Sequence, residues 1–144
     1  TVSCRKKFKK FVKLENAKDL LYQRCANPTG TVLSEKRRRQ IYALAQKYDF
    51  LILEDDPYYF VNYLDYQPTS LLSLDTDGRV IRVDSFSKIL SAGIRIGLVT
   101  AHKDIVKRIV LHVSSTTLHA PSISQVKFSF ILDYLFSDRN IIRK

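Results

Sequence analysis

The run Phe50-Leu51-Ile52-Leu53 is continuously apolar and stops abruptly at Glu54-Asp55-Asp56-Pro57-Tyr58-Tyr59. A short uninterrupted apolar run of this kind predicts a strand buried on both faces of a parallel sheet. Parallel strands need crossover connections, and these are usually helical. Just upstream, Ile41, Leu44, Ala45 and Tyr48 recur at i, i+3, i+4 and i+7 behind Ser34, an N-cap residue, with Glu35 in the first turn. That pattern predicts an amphipathic helix, with Lys36-Arg37-Arg38-Arg39 on its solvated face. Leu20-Leu21-Tyr22 reads as an earlier strand, Arg79–Val83 as a later one after the Asp77-Gly78 turn, and Ile94–Thr100 as another. Ile105, Val106, Ile109, Val110 and Val113 then line one helix, and Pro121 opens a last one with Ile123, Val126, Phe130, Ile131 and Tyr134 inward. Alternating strands and helices predict an α/β fold around a mainly parallel sheet.

Charge divides the chain further. The 144 residues carry 24 Lys plus Arg against 14 Asp plus Glu, a net +10. Residues 1–20 hold seven basic and two acidic side chains, whereas residues 51–80 hold one basic and six acidic. A protein built to coat nucleic acid needs no acidic belt at its centre. The segment Lys6-Lys7-Phe8-Lys9-Lys10-Phe11-Val12-Lys13 has the spacing of a short basic amphipathic helix, read here as a solvated surface helix. No apolar run approaches the roughly 20 residues of a membrane-spanning helix. Cys4 and Cys25 form no CxxC pair and are read as free thiols. His102, His112 and His119 lack metal-ligand partners at useful spacing, so no metal site is expected. The chain opens on Thr1 and contains no Met, which suggests a processed chain or a fragment.

In open α/β sheets, ligands bind at the carboxyl ends of the strands. One apolar strand here ends in a carboxylate–aromatic cluster, and the next ends in Asp84-Ser85-Phe86-Ser87-Lys88. If the two are neighbours, Asp55, Tyr58, Ser85, Ser87 and Lys88 converge on one rim. Arg95 joins them if the following strand runs antiparallel. Taken singly, these residues are bland: acidic triplets are usually solvated, Asp75-Thr76-Asp77-Gly78 lacks the ligand pattern of a calcium loop and reads as a turn, and a lone lysine is usually a surface residue. Together they suit pyridoxal 5'-phosphate. A lysine can bind its aldehyde, an Asp can pair with its pyridinium nitrogen, and a tyrosine hydroxyl and an asparagine amide can hold its phenolic oxygen. Serine hydroxyls and an arginine fork can grip its phosphate.

Asn27-Pro28-Thr29-Gly30, Glu54-Asp55-Asp56-Pro57-Tyr58-Tyr59-Phe60 and Asp84-Ser85-Phe86-Ser87-Lys88 resemble, in order, the signature segments of the class I/II aminotransferases, which are fold-type I pyridoxal-phosphate enzymes. The wording of 48–60 and 77–88 is closest to the kynurenine/α-aminoadipate branch, and the resemblance runs from about Asn27 to Leu135. It implies part of the large, mainly parallel-sheet α/β/α cofactor-binding domain over 21–144, with a basic, non-family segment at 1–20 and the smaller domain absent. It implies Lys88 as the Schiff-base lysine and proton shuttle, Asp55 on the ring nitrogen, Tyr58 and Asn27 on the phenolic oxygen, and Ser85, Ser87 and Arg95 on the phosphate. Asp56 and Tyr59 satisfy the same Asp-x-x-Tyr spacing; the place of Asp55 relative to the strand favours the first pair.

The resemblance further implies transamination between an amino acid and a 2-oxo acid, a homodimer for the full-length family, no nucleic-acid partner, and a cytoplasmic or mitochondrial location. The family's phosphate loop, ring-stacking aromatic and substrate-carboxylate arginine have no counterpart here, so weak or no activity is expected of this chain alone. Two rival readings are a basic module binding nucleic acid or anionic membrane, and a pyridoxal-phosphate lyase on the same scaffold.

Overall fold

The computed structural model describes residues 19–23, 30–61 and 65–137. Four strands, β1 (Asp19–Gln23), β2 (Leu51–Asp55), β3 (Val80–Ser85) and β4 (Gly97–Thr100), lie side by side in chain order. The first three are parallel and β4 is antiparallel to β3. Helix α1 (Glu35–Tyr48) links β1 to β2, and α2 (Lys103–Thr116) and α3 (Ser122–Ser137) follow β4. The result is the expected α/β, mainly parallel arrangement. Among the described residues no helix is long and apolar enough to cross a membrane. Asn27, Cys4, Cys25 and the basic segment 6–13 lie outside the described residues.

The core forms on one face of the sheet. Ile41, Tyr42 and Ala45 of α1 pack with Phe50, Ile52, Leu71 and Val80. Ile52 and Val80 are fully buried, each contributing about 1.5–3 kcal/mol by removal from water. The expectation that β2 is buried on both faces is corrected: Leu53 is half-buried and Leu51 exposed. Helix α1 and the loop around Leu71 cover the face bearing Ile52, and the face bearing Leu51 is less covered within the described chain.

Helix α1 also turns further than its periodicity suggested. Its inward stripe is Arg38, Ile41, Tyr42 and Ala45, again at i, i+3, i+4 and i+7, and Tyr48 is exposed. Arg38 is therefore buried rather than solvated with its basic neighbours. Its Nε donates to the Leu33 carbonyl at 3.0 Å and its Nη1 to that of Thr69. Ser34 caps through its backbone only: its carbonyl accepts from the amides of Arg37 and Arg38. Asp49 ends the helix with φ 51.

Between β2 and β3, residues 56–79 contain no α-helix among those described, only a 3-10 turn at Leu72–Leu74. Glu54 explains how so long a loop stays ordered. Its carboxylate, fully buried, accepts from the amides of Leu71 and Leu72 and from Ser70 Oγ. The turn after it is fixed by Asp75, whose carboxylate accepts from the amides of Gly78, Arg79 and Val80. Gly78 takes φ 74, which suits glycine.

In α2, Ile105, Val106, Ile109 and Val113 are half-buried as expected, but Val110 is exposed. In α3, Ile131 is half-buried, while Ile123, Val126, Phe130 and Tyr134 are exposed rather than inward. The half-buried stripe is Ser124, Phe128, Ile131 and Leu132. This helix is apolar nearly all round, so periodicity alone does not fix its rotation; the Phe128 ring does, by packing 4.5 Å from Phe86.

Candidate functional site

Asp55 is the last residue of β2, in register with Gln23 of β1 and Val83 of β3, so it stands mid-sheet at the carboxyl edge. Ser85 ends the neighbouring strand on that same edge. Strand alternation separates the two acidic neighbours. Asp55 is half-buried and shares its face with Val83 and Ser85, whereas Asp56 is buried on the core side, 3.3 Å from Arg82 Nη2. Tyr58 is half-buried in the turn that follows, whose backbone is closed by Tyr59 N donating to Asp56 O and Val61 N to Tyr58 O.

Past Ser85 the chain tightens into a 3-10 turn, Phe86–Lys88. Ser85 Oγ caps it by accepting from Ser87 N at 3.2 Å, which leaves the Ser85 hydroxyl proton available to donate outward. Lys88 is exposed at the turn's end, its ammonium 5.8 Å from the Tyr58 ring centroid. Among the described residues nothing hydrogen-bonds or ion-pairs with that ammonium.

Arg95 precedes β4 rather than beginning it, because the segment expected to open that strand forms a 3-10 turn at Ala92–Ile94. It adopts φ 54, a left-handed conformation uncommon for a non-glycine residue, and the chain there reverses into the antiparallel β4. Gly97 pairs with Ser85, so Arg95 comes back to the edge that carries Ser85 and Lys88. Gly97 is required at this pairing: a Cβ there would sit 2.9 Å from the Asp84 carbonyl oxygen.

The structure thus brings Asp55, Tyr58, Ser85, Ser87, Lys88 and Arg95 to one sheet edge; Asn27 lies outside the described residues. The set offers an amine for a carbonyl, a carboxylate for a cationic ring nitrogen, a phenol, and hydroxyls with a guanidinium for an anion. Among the described residues no group of three or more His, Cys, Asp or Glu side chains is arranged to hold a metal ion.

Sequence reasoning missed the charged group beneath this rim. Arg82 is buried and grips Asp84, with Nε 2.9 Å from Oδ2 and Nη2 2.8 Å from Oδ1. Tyr59 covers it, ring centroid 4.5 Å from Cζ, and Glu54 is its register partner on β2. Burial works against the arginine's charge, but Asp84, Asp56 and Glu54 outweigh it and raise its pKa. The signal was present as charge at alternate positions: Glu54 and Asp56 at and just past the end of one strand, Arg82 and Asp84 on the next.

Comparison with known proteins gives this edge its setting. Residues 6–133 match the family model for aminotransferase class I and II, a stretch that begins within the basic segment. The mitochondrial kynurenine/alpha-aminoadipate aminotransferase of Bos taurus is 52% identical over 106 residues, covering 74% of this chain and 25% of the relative. That of Rattus norvegicus is 50% identical over the same coverage. The chain therefore spans about a quarter of the length of these curated relatives. Among solved structures, the kynurenine aminotransferase of Pyrococcus horikoshii, in complex with PMP, superposes with a TM-score of 0.77 at 32% identity, over 88% of this chain and 32% of that one. LysN, the alpha-aminoadipate aminotransferase of Thermus thermophilus, complexed with N-(5'-phosphopyridoxyl)-L-leucine, gives 0.83 at 26% identity, over 94% and 36%. The sheet is accordingly that of the fold-type I enzymes, and the chain belongs to the class I and II aminotransferase family.

Proposed function

We propose that this chain forms the cofactor-holding part of a pyridoxal-phosphate-dependent aminotransferase that exchanges an amino group between an amino acid and a 2-oxo acid, with substrates like kynurenine or 2-aminoadipate. The observation that carries the reading is Lys88 Nζ over the Tyr58 ring at the same sheet edge as Asp55. The donor set fits the cofactor: an exposed amine with no ion-pair partner among the described residues for its aldehyde, and for its phosphate Ser85, whose oxygen accepts from Ser87 N and whose hydroxyl donates to none of the described residues. Pyridoxal phosphate, when bound, supplies an electron sink for the substrate's α-carbon.

Each residue then has one task. Lys88 holds the cofactor covalently and moves a proton at the substrate α-carbon. Asp55 keeps the ring nitrogen protonated through its negative charge. Tyr58 donates its hydroxyl to the phenolic oxygen, with Asn27 alongside. Ser85, Ser87 and Arg95 bind the phosphate. Asp55 is preferred to Asp56 because it shares the face of Ser85, while Asp56 is engaged with Arg82 on the core side. The full enzyme works as a homodimer in mitochondria or cytoplasm. This chain alone is weak or inactive in transamination, because it spans a quarter of its relatives' length.

The test is titration of the chain with pyridoxal phosphate, followed by the visible absorbance of lysine-bound cofactor. A band that appears with the unaltered chain and is lost in Lys88→Ala supports the reading. No band, or one unchanged by Lys88→Ala, overturns it.

A further inference from the structure

Two residues assigned to the cofactor, Asp55 and Tyr58, are each followed directly in sequence by a residue that touches Arg82. Asp56 Oδ2 lies 3.3 Å from Arg82 Nη2, and the Tyr59 ring lies against the guanidinium at 4.5 Å. Asp56 is also tied to β3 through its amide, which donates to the Val83 carbonyl at 3.0 Å. We infer that Arg82 is a positioning residue: from the core side of the sheet it fixes the Asp56-Pro57-Tyr58-Tyr59 turn against β3, and so sets where Asp55 and Tyr58 stand relative to Lys88. The inference rests on the cofactor roles proposed above.

The physical case is one of rigidity. The Arg82 fork is spent on Asp84, Nε donating to both carboxylate oxygens and Nη2 to one of them, which fixes the plane of the guanidinium. Its remaining edge meets Asp56 and its face meets Tyr59. Arg82 and Asp56 are both buried, so neither can shift without weakening the compensation of the other's charge. Asp84 lies immediately before Ser85, so the same guanidinium holds both strand ends: Asp56 after Asp55 on β2, and Asp84 before Ser85 on β3. A single planar cation therefore couples the ring-binding and phosphate-binding halves of the edge. Lysine keeps the charge but cannot supply the fork and the flat face together.

The test measures cofactor affinity, the pH midpoint of the visible band, and the thermal unfolding temperature in the chain and in Arg82→Lys, Tyr59→Leu and Asp55→Asn. The expected result is that Arg82→Lys still gives a band that depends on Lys88, binds cofactor about tenfold more weakly, and moves the midpoint in the same direction as Asp55→Asn. Tyr59→Leu, which keeps all the charges, moves it the same way by less, and it decides alone should Arg82→Lys fail to fold. Lowered unfolding temperatures with affinity and midpoint unchanged in both variants mean a purely structural arginine and overturn the inference while leaving the cofactor site intact. No Lys88-dependent band in the unaltered chain overturns the site reading beneath it.

Discussion

The ammonium of Lys88 stands 5.8 Å from the centroid of the Tyr58 ring, although thirty residues separate the two in sequence. β2 and β3 are parallel neighbours in register, so the turn that leaves one strand and the turn that leaves the other arrive together. The contact lies within cation–π range, and both residues stand at the carboxyl edge of the sheet, Lys88 exposed and Tyr58 half-buried.

Removing only the phenolic oxygen separates that ring contact from hydrogen bonding. Tyr58→Phe keeps the lysine's aromatic neighbour and is expected to retain the Lys88-dependent band while weakening pyridoxal phosphate about tenfold, the worth of one hydrogen bond near ~1.4 kcal/mol. Spectroscopic titration checks it; unchanged affinity removes the hydroxyl from the site.

Glu54 anchors the loop that leads back to β3. Glu54→Gln leaves one amide group unable to accept from Leu71 N, Leu72 N and Ser70 Oγ as the carboxylate does. The expected loss is about 1–3 kcal/mol, read as a lower urea midpoint at unchanged slope. A midpoint equal to that of the unaltered chain would show that the loop does not need the charge.

Gly97 lets β4 close on β3. A methyl group there meets the Asp84 carbonyl oxygen at 2.9 Å, and this neighbour is backbone. Gly97→Ala is therefore expected to destabilise by about 1–3 kcal/mol and to raise amide exchange for residues 97–100. Exchange confined to its original rates would contradict the close approach.

Acid sensitivity is expected from Asp77. Hydrogen bonding from Arg79, then from Tyr42, holds its carboxyl at about 2. The unfolded value is about 3.9, so the native state binds this proton less readily. Its stabilisation is fully present above about pH 4 and is lost as pH falls through about 2. The group is a third exposed, which keeps the effect small. Asp77→Asn should flatten this part of the stability–pH curve, as read from urea unfolding at several pH values between 2 and 5. Equal slopes in both proteins would remove Asp77 as the cause.

Much of this architecture was legible without coordinates, and for a local reason. Strand and helix identity follow from side-chain period, which is encoded within a few residues, so β2, β3, α1, α2 and α3 stand where apolar spacing put them. The abrupt changes from apolar to polar at Glu54-Asp55 and Asp84-Ser85 marked the edge where the candidate site residues gather, because strand ends are where an α/β sheet exposes backbone and side chains to a ligand.

Tertiary structure alone decided which faces turn inward. Arg38 is buried because the Leu33 and Thr69 carbonyls wait for it, and Thr69 belongs to a loop thirty-one residues away. Rotation of α3 depends on Phe86, and Glu54 reads as one more solvated acid until the amides of Leu71 and Leu72 are brought to it. Arg82 is the sharpest case: Asp84 lies two residues on along its own strand, but Asp56 lies in the turn that leaves the neighbouring strand β2. The sequence by itself determined the elements, their order and which polar residues end the strands, since these depend on near neighbours. Burial of charge depends on which distant groups arrive to compensate it, and only the folded chain supplies those.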